Sequence, residues 1–313
     1  MPRPEDKAEE AVELIVRASE LFDGLPWELG FSGGKDSTVA LSLTLEAMRR
    51  GARIRRLYVV YADTLVEHPD LRRSALEALE GLRSIPGVVP VRLTPREDFV
   101  TMMVERGYPA PGPRFRWCVD RLKVRPVREF MRGLGRFVQV SGVRLAESAE
   151  RRRNAARYSG LRKVVEGPAP MVMPILDWTA EDVFGYLRTH RRWDGRDFGY
   201  LLRLYGAGGV VEGACGRALL SDVRFGCWVC TVVREDRMPS HPILRWARQR
   251  ILEVSRDPRY RERRPDGSLG RLNEEGRKEV ARVFLEVAER YPEALGYDDL
   301  EGLKRRLRSV VGA

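Results

Sequence analysis

The hexapeptide Ser32-Gly33-Gly34-Lys35-Asp36-Ser37 stands between a short apolar segment, Trp27-Glu28-Leu29-Gly30-Phe31, and a stretch with helical character, Thr38 to Arg50. Val39, Leu41, Leu43, Leu45 and Met48 give that stretch an apolar surface. A strand that runs through glycines into a helix brings backbone N–H groups and the positive helix end to one point, where they can hold a phosphate. Lys35 adds a point charge, Ser32 and Ser37 add hydroxyls, and Asp36 either holds Mg2+ or orders the loop. The G-x-x-x-x-G-K-S/T spacing of a Walker A loop is absent. A tight turn alone would explain the glycines but not Lys-Asp-Ser.

Strand and helix signals alternate around this loop. An amphipathic helix is expected over 8–22, a buried strand over 57–61, a helix over 68–84, a strand over 88–93, a helix over 120–132 and a strand over 136–141. Such alternation predicts an α/β fold: an open, mostly parallel sheet flanked by helices, Rossmann-like in type. Thr179-Ala180-Glu181-Asp182 opens a further helix as a capping box with Asp in place of Glu. A glycine-rich, cysteine-bearing segment follows, then a helical extension over 241–254, 273–290 and 297–309. The expected division is an α/β domain with the phosphate loop over 1–205, a cysteine segment over 206–240 and a helical region over 241–313.

Composition narrows the class. Hydrophobic residues make up 43% and charged residues 32% of the 313, which excludes a disordered chain. No apolar run approaches the roughly 20 residues of a membrane helix. Met1 to Asp6 carries no signal-peptide pattern, so a soluble, cytoplasmic protein in reducing surroundings is expected, with no membrane partner. The net charge of +11 and pI near 9.8 suit a polyanionic partner, and equally a solubilising surface. Only four side-chain amides occur, Gln139, Gln249, Asn154 and Asn273, and the positive charge is mostly Arg, a composition expected of a thermophile. Arg144, Arg151, Arg152, Arg153, Arg157 and Arg162 lie in a stretch without apolar periodicity, read as a loop.

Several segments, in order, resemble one family. The hexapeptide after a first strand is similar to the PP-loop of the adenine nucleotide alpha hydrolase superfamily. Tyr61-Ala62-Asp63-Thr64, Trp117-Cys118 with Leu122-Lys123 and Pro126, Gly142-Val143-Arg144 with Glu147-Ser148, and Pro174 to Trp178 resemble its phosphoadenosine phosphosulfate (PAPS) reductase branch. Arg224 to Val233, containing Cys227-Trp228-Val229-Cys230, is similar to the cysteine segment of Dnd-type DNA phosphorothioation sulfurtransferases. The resemblance implies binding of ATP or a related adenylyl nucleotide by Ser32 to Ser37 with Asp63, Arg144 and Glu147. It also implies cleavage between the α and β phosphates, with Lys35, Asp36, Lys123 and Arg144 as the catalytic set. Each has a duller reading: Asp63 caps the next segment, Lys123 and Arg144 are solvated charges, and Glu147 pairs with a nearby Arg. His68, His190 and His241 adjoin no second ligand motif and are read as non-catalytic.

Cys118, Cys215, Cys227 and Cys230 include one C-x-x-C, a spacing that lets two thiolates face one metal. Four thiolates close either a tetrahedral Zn2+ site or a 4Fe-4S cluster, and spacing alone does not separate these from disulfides or free thiols. The resemblance implies a 4Fe-4S cluster on Cys118, Cys227 and Cys230. Cys215, the remaining cysteine, takes the fourth place or carries a persulfide as a free thiol. A sulfonucleotide reductase of this branch attacks with a cysteine near its C-terminus, and none follows Cys230 here. The leading expectation is therefore an ATP pyrophosphatase with bound Mg2+, acting as a sulfurtransferase that adenylates a nucleic acid or small-molecule acceptor, with an unidentified sulfur donor. The alternatives are an APS or PAPS reductase, and a non-enzymatic, nucleotide-gated iron-sulfur protein that binds nucleic acid.

Overall fold

The structure, a computed structural model, describes residues 4–112, 115–147, 153, 162–207, 226–231 and 241–312. The chain falls into two compact units, each assembled from separate stretches: Met1–Tyr61, Arg73–Arg92 and Phe130–Arg224 form the first, and Ala62–Arg72, Leu93–Glu129 and Phe225–Ala313 the second.

The first unit is built on a six-stranded sheet. Its strands are β1 (Trp27–Gly30), β2 (Leu57–Ala62), β3 (Val88–Leu93), β4 (Val138–Val140), β5 (Val164–Val165) and β6 (Met171–Val172), in spatial order β3-β2-β1-β4-β6-β5. β1 runs parallel to β2 and β4, β4 parallel to β6, and β5 antiparallel to β6. The mostly parallel, helix-flanked sheet anticipated from the alternation is the observed one. Trp27 and Leu29 stand in register with Leu57 and Val59 on one side and Val138 and Val140 on the other, and all six are buried. Side chains alternate along a strand, so Glu28 joins Tyr58 and Gln139 on the opposite face.

Helix α1 (Pro4–Leu21) and helix α2 (Lys35–Arg49) pack together. Burial of residues all along α2, from Lys35 to Ala47, follows from a helix enclosed by sheet and neighbouring helices, which the broad apolar surface had required. The helix opened by Thr179, Ala180–Thr189, carries the expected capping box: the Thr179 hydroxyl accepts from Asp182 N–H and the Asp182 carboxylate accepts from Thr179 N–H. Asp182 also binds Lys7 Nζ at 2.6 Å, tying this helix to α1.

In the second unit, Trp117, Phe99, Phe284 and Trp228 form, in that order, a buried aromatic chain with centroid separations of 5.0, 6.2 and 5.9 Å. Around it pack three helices, Pro242–Arg256, Glu274–Arg290 and Leu300–Val311, starting where His241, Asn273 and Asp299 accept a backbone N–H. The helix expected over 120–132 is instead an α turn at Trp117–Val119, a π segment at Asp120–Val124 and an α-helix at Arg125–Arg132. A hairpin, Arg261–Arg263 with Leu269–Leu272, was not anticipated: its Arg-rich first strand shows no apolar alternation and is held by backbone pairing. No helix among the described residues is long and apolar enough to cross a membrane.

Glu28 is the unusual core residue. It is 1% exposed, neither carboxyl oxygen has a geometric hydrogen-bond partner, and burial, opposed by the Gln139 side chain, raises its pKa from 4.5 to about 7. A carboxyl held protonated in the folded state but ionised in the unfolded chain costs stability as pH rises from 4.5 through 7, and costs nothing below that window. The full penalty is roughly 3 kcal/mol. Urea denaturation at pH 5 and pH 8 should show Glu28→Gln flattening the loss of stability that wild type suffers across this range; equal pH dependence in the two proteins would refute the assignment.

Candidate functional site

The phosphate loop leaves β1 through Phe31, whose N–H donates to Val60 O at 2.8 Å, and turns at Gly33, where φ of +70° is left-handed and suits glycine. Gly34 is the N-cap of α2 and supplies no side-chain cap. The Ser37 hydroxyl closes the loop: it accepts from Ser32 N–H at 3.2 Å, meets Ser32 Oγ at 3.0 Å and donates to Gly34 O at 3.1 Å.

Electrostatics hold the loop from beneath. Lys35 Nζ lies 2.7 Å from Asp36 Oδ2, and Arg144 Nε lies 2.7 Å from Asp36 Oδ1. Arg144, only 2% exposed, also points Nη1 at Trp178 O. It is therefore a buried, paired cation and not a solvated charge. Gly142, two residues earlier, brings this connection against the loop: a Cβ there would stand 3.0 Å from Asp36 O and 3.2 Å from its carbonyl carbon. The G-x-R spacing thus delivers a close backbone approach and then the cation. Each Asp36 oxygen is thus engaged by one cation. The backbone of Glu147 ends a 3-10 turn, Leu145–Glu147; its side chain, Arg151, Arg152 and Cys215 lie outside the described residues.

The second unit carries Cys118, Cys227 and Cys230. The segment around Cys227 pairs with that around Glu67: His68 N–H donates to Gly226 O at 3.0 Å and Trp228 N–H to Val66 O at 3.1 Å. The C-x-x-C turn closes with Cys230 N–H on Cys227 O, while Arg248 Nε binds Cys230 O at 2.7 Å and Trp228 Nε1 donates to Ala294 O at 2.9 Å. Cys227 Sγ is 3.2 Å from Thr64 Oγ1. Lys123 Nζ is 3.0 Å from Glu67 Oε1, a carboxylate that is almost fully buried.

Burial pushes the Cys227 thiol up to about 12, with the Lys123 ammonium pulling the other way. Burial and the Cys230 thiol raise Cys118, again against Lys123. Desolvation disfavours the Lys123 charge, but Glu67 and then Cys227 outweigh it and its pKa rises. A 4Fe-4S cluster takes four cysteine thiolates; here Cys118 and Cys227 interact with Lys123, and Cys230 with Cys118 and Cys227. Among the described residues no three His, Cys, Asp or Glu side chains are arranged to hold a single metal ion.

Asp63 is fully buried in the second unit. Its Oδ1 accepts from Leu65 N–H at 3.0 Å, and both oxygens meet the Arg72 guanidinium at 2.9 to 3.1 Å. This is the capping role. Sequence reasoning did not single out Arg72, Glu67 or Tyr205, whose hydroxyl accepts from Lys35 N–H at 3.3 Å. Glu67 lay close behind the Asp63-Thr64 motif, whereas nothing in the sequence ties position 205 to position 35.

Among known proteins, the family model for the phosphoadenosine phosphosulfate reductase domain matches residues 28–233. An uncharacterised protein of Methanocaldococcus jannaschii is 29% identical over 204 residues, 58% of this chain and 39% of that protein. A second uncharacterised protein of the same organism is 28% identical over 162 residues, 50% of this chain and 34% of the other. The chain thus spans well under half the length of either relative. A solved PAPS reductase of Candida auris, in a phosphate complex, aligns at 13% identity and a TM-score of 0.39 over 57% of this chain and 78% of its own.

Removing the Asp36 carboxylate leaves two desolvated cations facing each other, a change that costs about 3–5 kcal/mol where a buried pair is broken. Asp36→Asn should lower the urea midpoint accordingly; an unchanged midpoint would show that this carboxylate does not organise the loop.

Proposed function

Because this chain belongs to the phosphoadenosine phosphosulfate reductase domain family, we propose that it is an ATP pyrophosphatase that activates an acceptor for sulfur transfer. The observation that carries the reading is the phosphate loop, with Lys35 and Arg144 held side by side by Asp36 beneath the N-terminus of α2. The loop amides and Lys35 receive the β and γ phosphates, and Mg2+ enters with them. An acceptor oxygen attacks the α phosphorus, the α–β bridging P–O bond breaks, and pyrophosphate leaves. Arg144, already desolvated and oriented, stabilises charge that grows on the phosphates at no further cost of reorganisation. A sulfur nucleophile then displaces AMP from the adenylated acceptor, forming the bond to sulfur as the bond to oxygen breaks.

Cys118, Cys227 and Cys230, with Cys215 as the fourth, are proposed to hold a 4Fe-4S cluster. The donor set supports this, since thiolates carry charge that a buried site must offset and Lys123 stands among them. Bound there, the cluster would supply a sulfur-ligated, redox-active iron centre. Lys123 is then assigned to the cysteines, where its electrostatic partners are Glu67, Cys227 and Cys118. Likeness of 224–233 to the Dnd-type segment and the +11 charge favour a nucleic acid as the acceptor.

Purified protein with Mg-ATP should release AMP and pyrophosphate, and Lys35→Ala should weaken ATP binding or turnover without unfolding the chain; ATP binding unchanged by that substitution counts against the loop. Anaerobic protein should be brown, with a broad band near ~400 nm and about four irons per chain. Colourless protein holding one zinc would remove the cluster. Sulfite formed from APS or PAPS with reduced thioredoxin would make sulfonucleotide reduction the function instead.

A further inference from the structure

The unanticipated hairpin brings an arginine beside an aromatic pair of the second unit. Leu272 N–H donates to Gly107 O at 2.6 Å, docking the strand Leu269–Leu272 against the chain at Gly107 and Tyr108. Arg271, exposed, stands with its guanidinium carbon 5.7 Å from the Tyr108 ring centroid. Tyr108 meets the buried Trp117 edge-on at 5.6 Å, and Phe115 lies parallel to Tyr108, with planes 10° and centroids 6.0 Å apart. Phe115 is 49% exposed. Its backbone is nonetheless fixed, since Gly112 N–H donates to Phe115 O at 3.2 Å and Phe115 N–H to Gly112 O at 3.0 Å.

We propose that Phe115, backed by Tyr108, is a stacking platform for an unpaired base of a nucleic-acid strand, with Arg271 holding a phosphate beside it. The inference deepens the nucleic-acid reading of the acceptor and rests on it. A single half-exposed apolar ring needs no explanation; three features set this one apart. Its partner Tyr108 is braced on a core aromatic, so a further aromatic plane can extend the stack with little left to order on the protein side. The chain reads Arg114-Phe115-Arg116, and the hairpin adds Arg271, so cations of the kind a phosphate backbone needs flank the ring. An apolar protein surface laid on Phe115 would desolvate these cations without pairing them, whereas a nucleic-acid strand offers a π face and a phosphate within each nucleotide. Finally, the same turn is tied to the cysteine-bearing segments. Trp117, next to Cys118, donates Nε1 to Pro109 O at 2.9 Å, and Thr231, next to Cys230, donates its hydroxyl to Pro111 O. A base on Phe115 therefore shares its support with the thiols.

Fluorescence anisotropy on the full chain separates the outcomes with three labelled probes: a short single-stranded DNA of mixed sequence, its duplex, and an abasic strand of the same length. Phe115→Ala should weaken binding of the intact single strand about tenfold, as loss of one base–aromatic stack implies. The thermal midpoint and the affinities for duplex and abasic strand should stay as in wild type, and Phe115→Trp should bind the single strand at least as tightly as wild type. Single-strand binding unchanged in Phe115→Ala overturns the proposal. A loss of equal size on the duplex or the abasic strand overturns it too, since neither offers an unpaired base and that pattern belongs to a disturbed turn. Arg271→Gln should lower the slope of log affinity against log salt by about 0.7, the share of one phosphate on a single strand; an unchanged slope rejects the phosphate contact. Wild type that binds none of the probes removes the nucleic-acid acceptor itself, a result distinct from wild-type binding that Phe115→Ala leaves intact. Should Phe115→Ala not fold, 4-fluorophenylalanine placed at 115 keeps the ring and gives a second readout. Its fluorine resonance should move on titration with the intact strand and not with the abasic one, and a stationary resonance at saturation rejects the platform.

Discussion

One carboxylate organises the phosphate loop. Asp36 separates two cations that would otherwise repel, and both are buried: Lys35 at the start of α2 and Arg144 from the connection after β4. Burying two cations on one partly buried carboxylate is weak evidence for stability, because desolvation offsets much of the attraction. Its consequence is geometric. Lys35 cannot extend into solvent, Arg144 cannot leave the loop, and the approach at Gly142 is fixed by the same contact. Cations desolvated in advance act more strongly on an incoming phosphate than cations that must shed water at that moment.

The second unit solves a related problem with the opposite sign. Thiolates in a buried setting are disfavoured, as the raised Cys118 and Cys227 show, and the compensating charge is Lys123. Lys123 is itself kept charged by Glu67. Cation, carboxylate and thiols come from three separated stretches, 64–67, 117–123 and 226–230, and the backbone pairing of Glu67 with Cys227 brings two of these together.

The parts of this arrangement legible in the sequence are local. A strand–glycine–helix junction, the Thr179 capping box and the β/α alternation each declare themselves within a few residues, because neighbouring backbone groups and periodic side chains dictate them. Arg144 and Lys123 were visible as residues but not as environments: nothing in Gly142-Val143-Arg144 says that the guanidinium will be buried on Asp36. Glu28 sits in an apolar strand where alternation counts it as the solvent-facing residue, yet the fold covers that face as well. The π segment at Asp120–Val124 left no signature distinct from an ordinary helical turn. Two-residue strands such as β5 and β6 carry too little sequence to show a period.

Asp63 shows how a motif residue fixes the backbone around it. Among the described residues, Leu65 is the non-glycine residue with a left-handed backbone, φ of +66°, a conformation that costs about 1–2 kcal/mol for an ordinary side chain. Asp63 stabilises that turn by accepting the Leu65 N–H, and Arg72 fixes Asp63 while binding Gly296 O at 3.1 Å. Gly296 N–H in turn donates to Leu65 O at 2.8 Å, so the turn is held at both of its peptide groups. A Cβ on Gly296 would collide with the Arg72 guanidinium at 2.5 Å, which explains a glycine there without any demand on its φ. What the turn positions is the next stretch of chain: Thr64 faces Cys227, and Glu67 faces Lys123. Asp63 therefore acts through the backbone, converting a strained bend at the end of β2 into a fixed mount for the groups that meet the thiols.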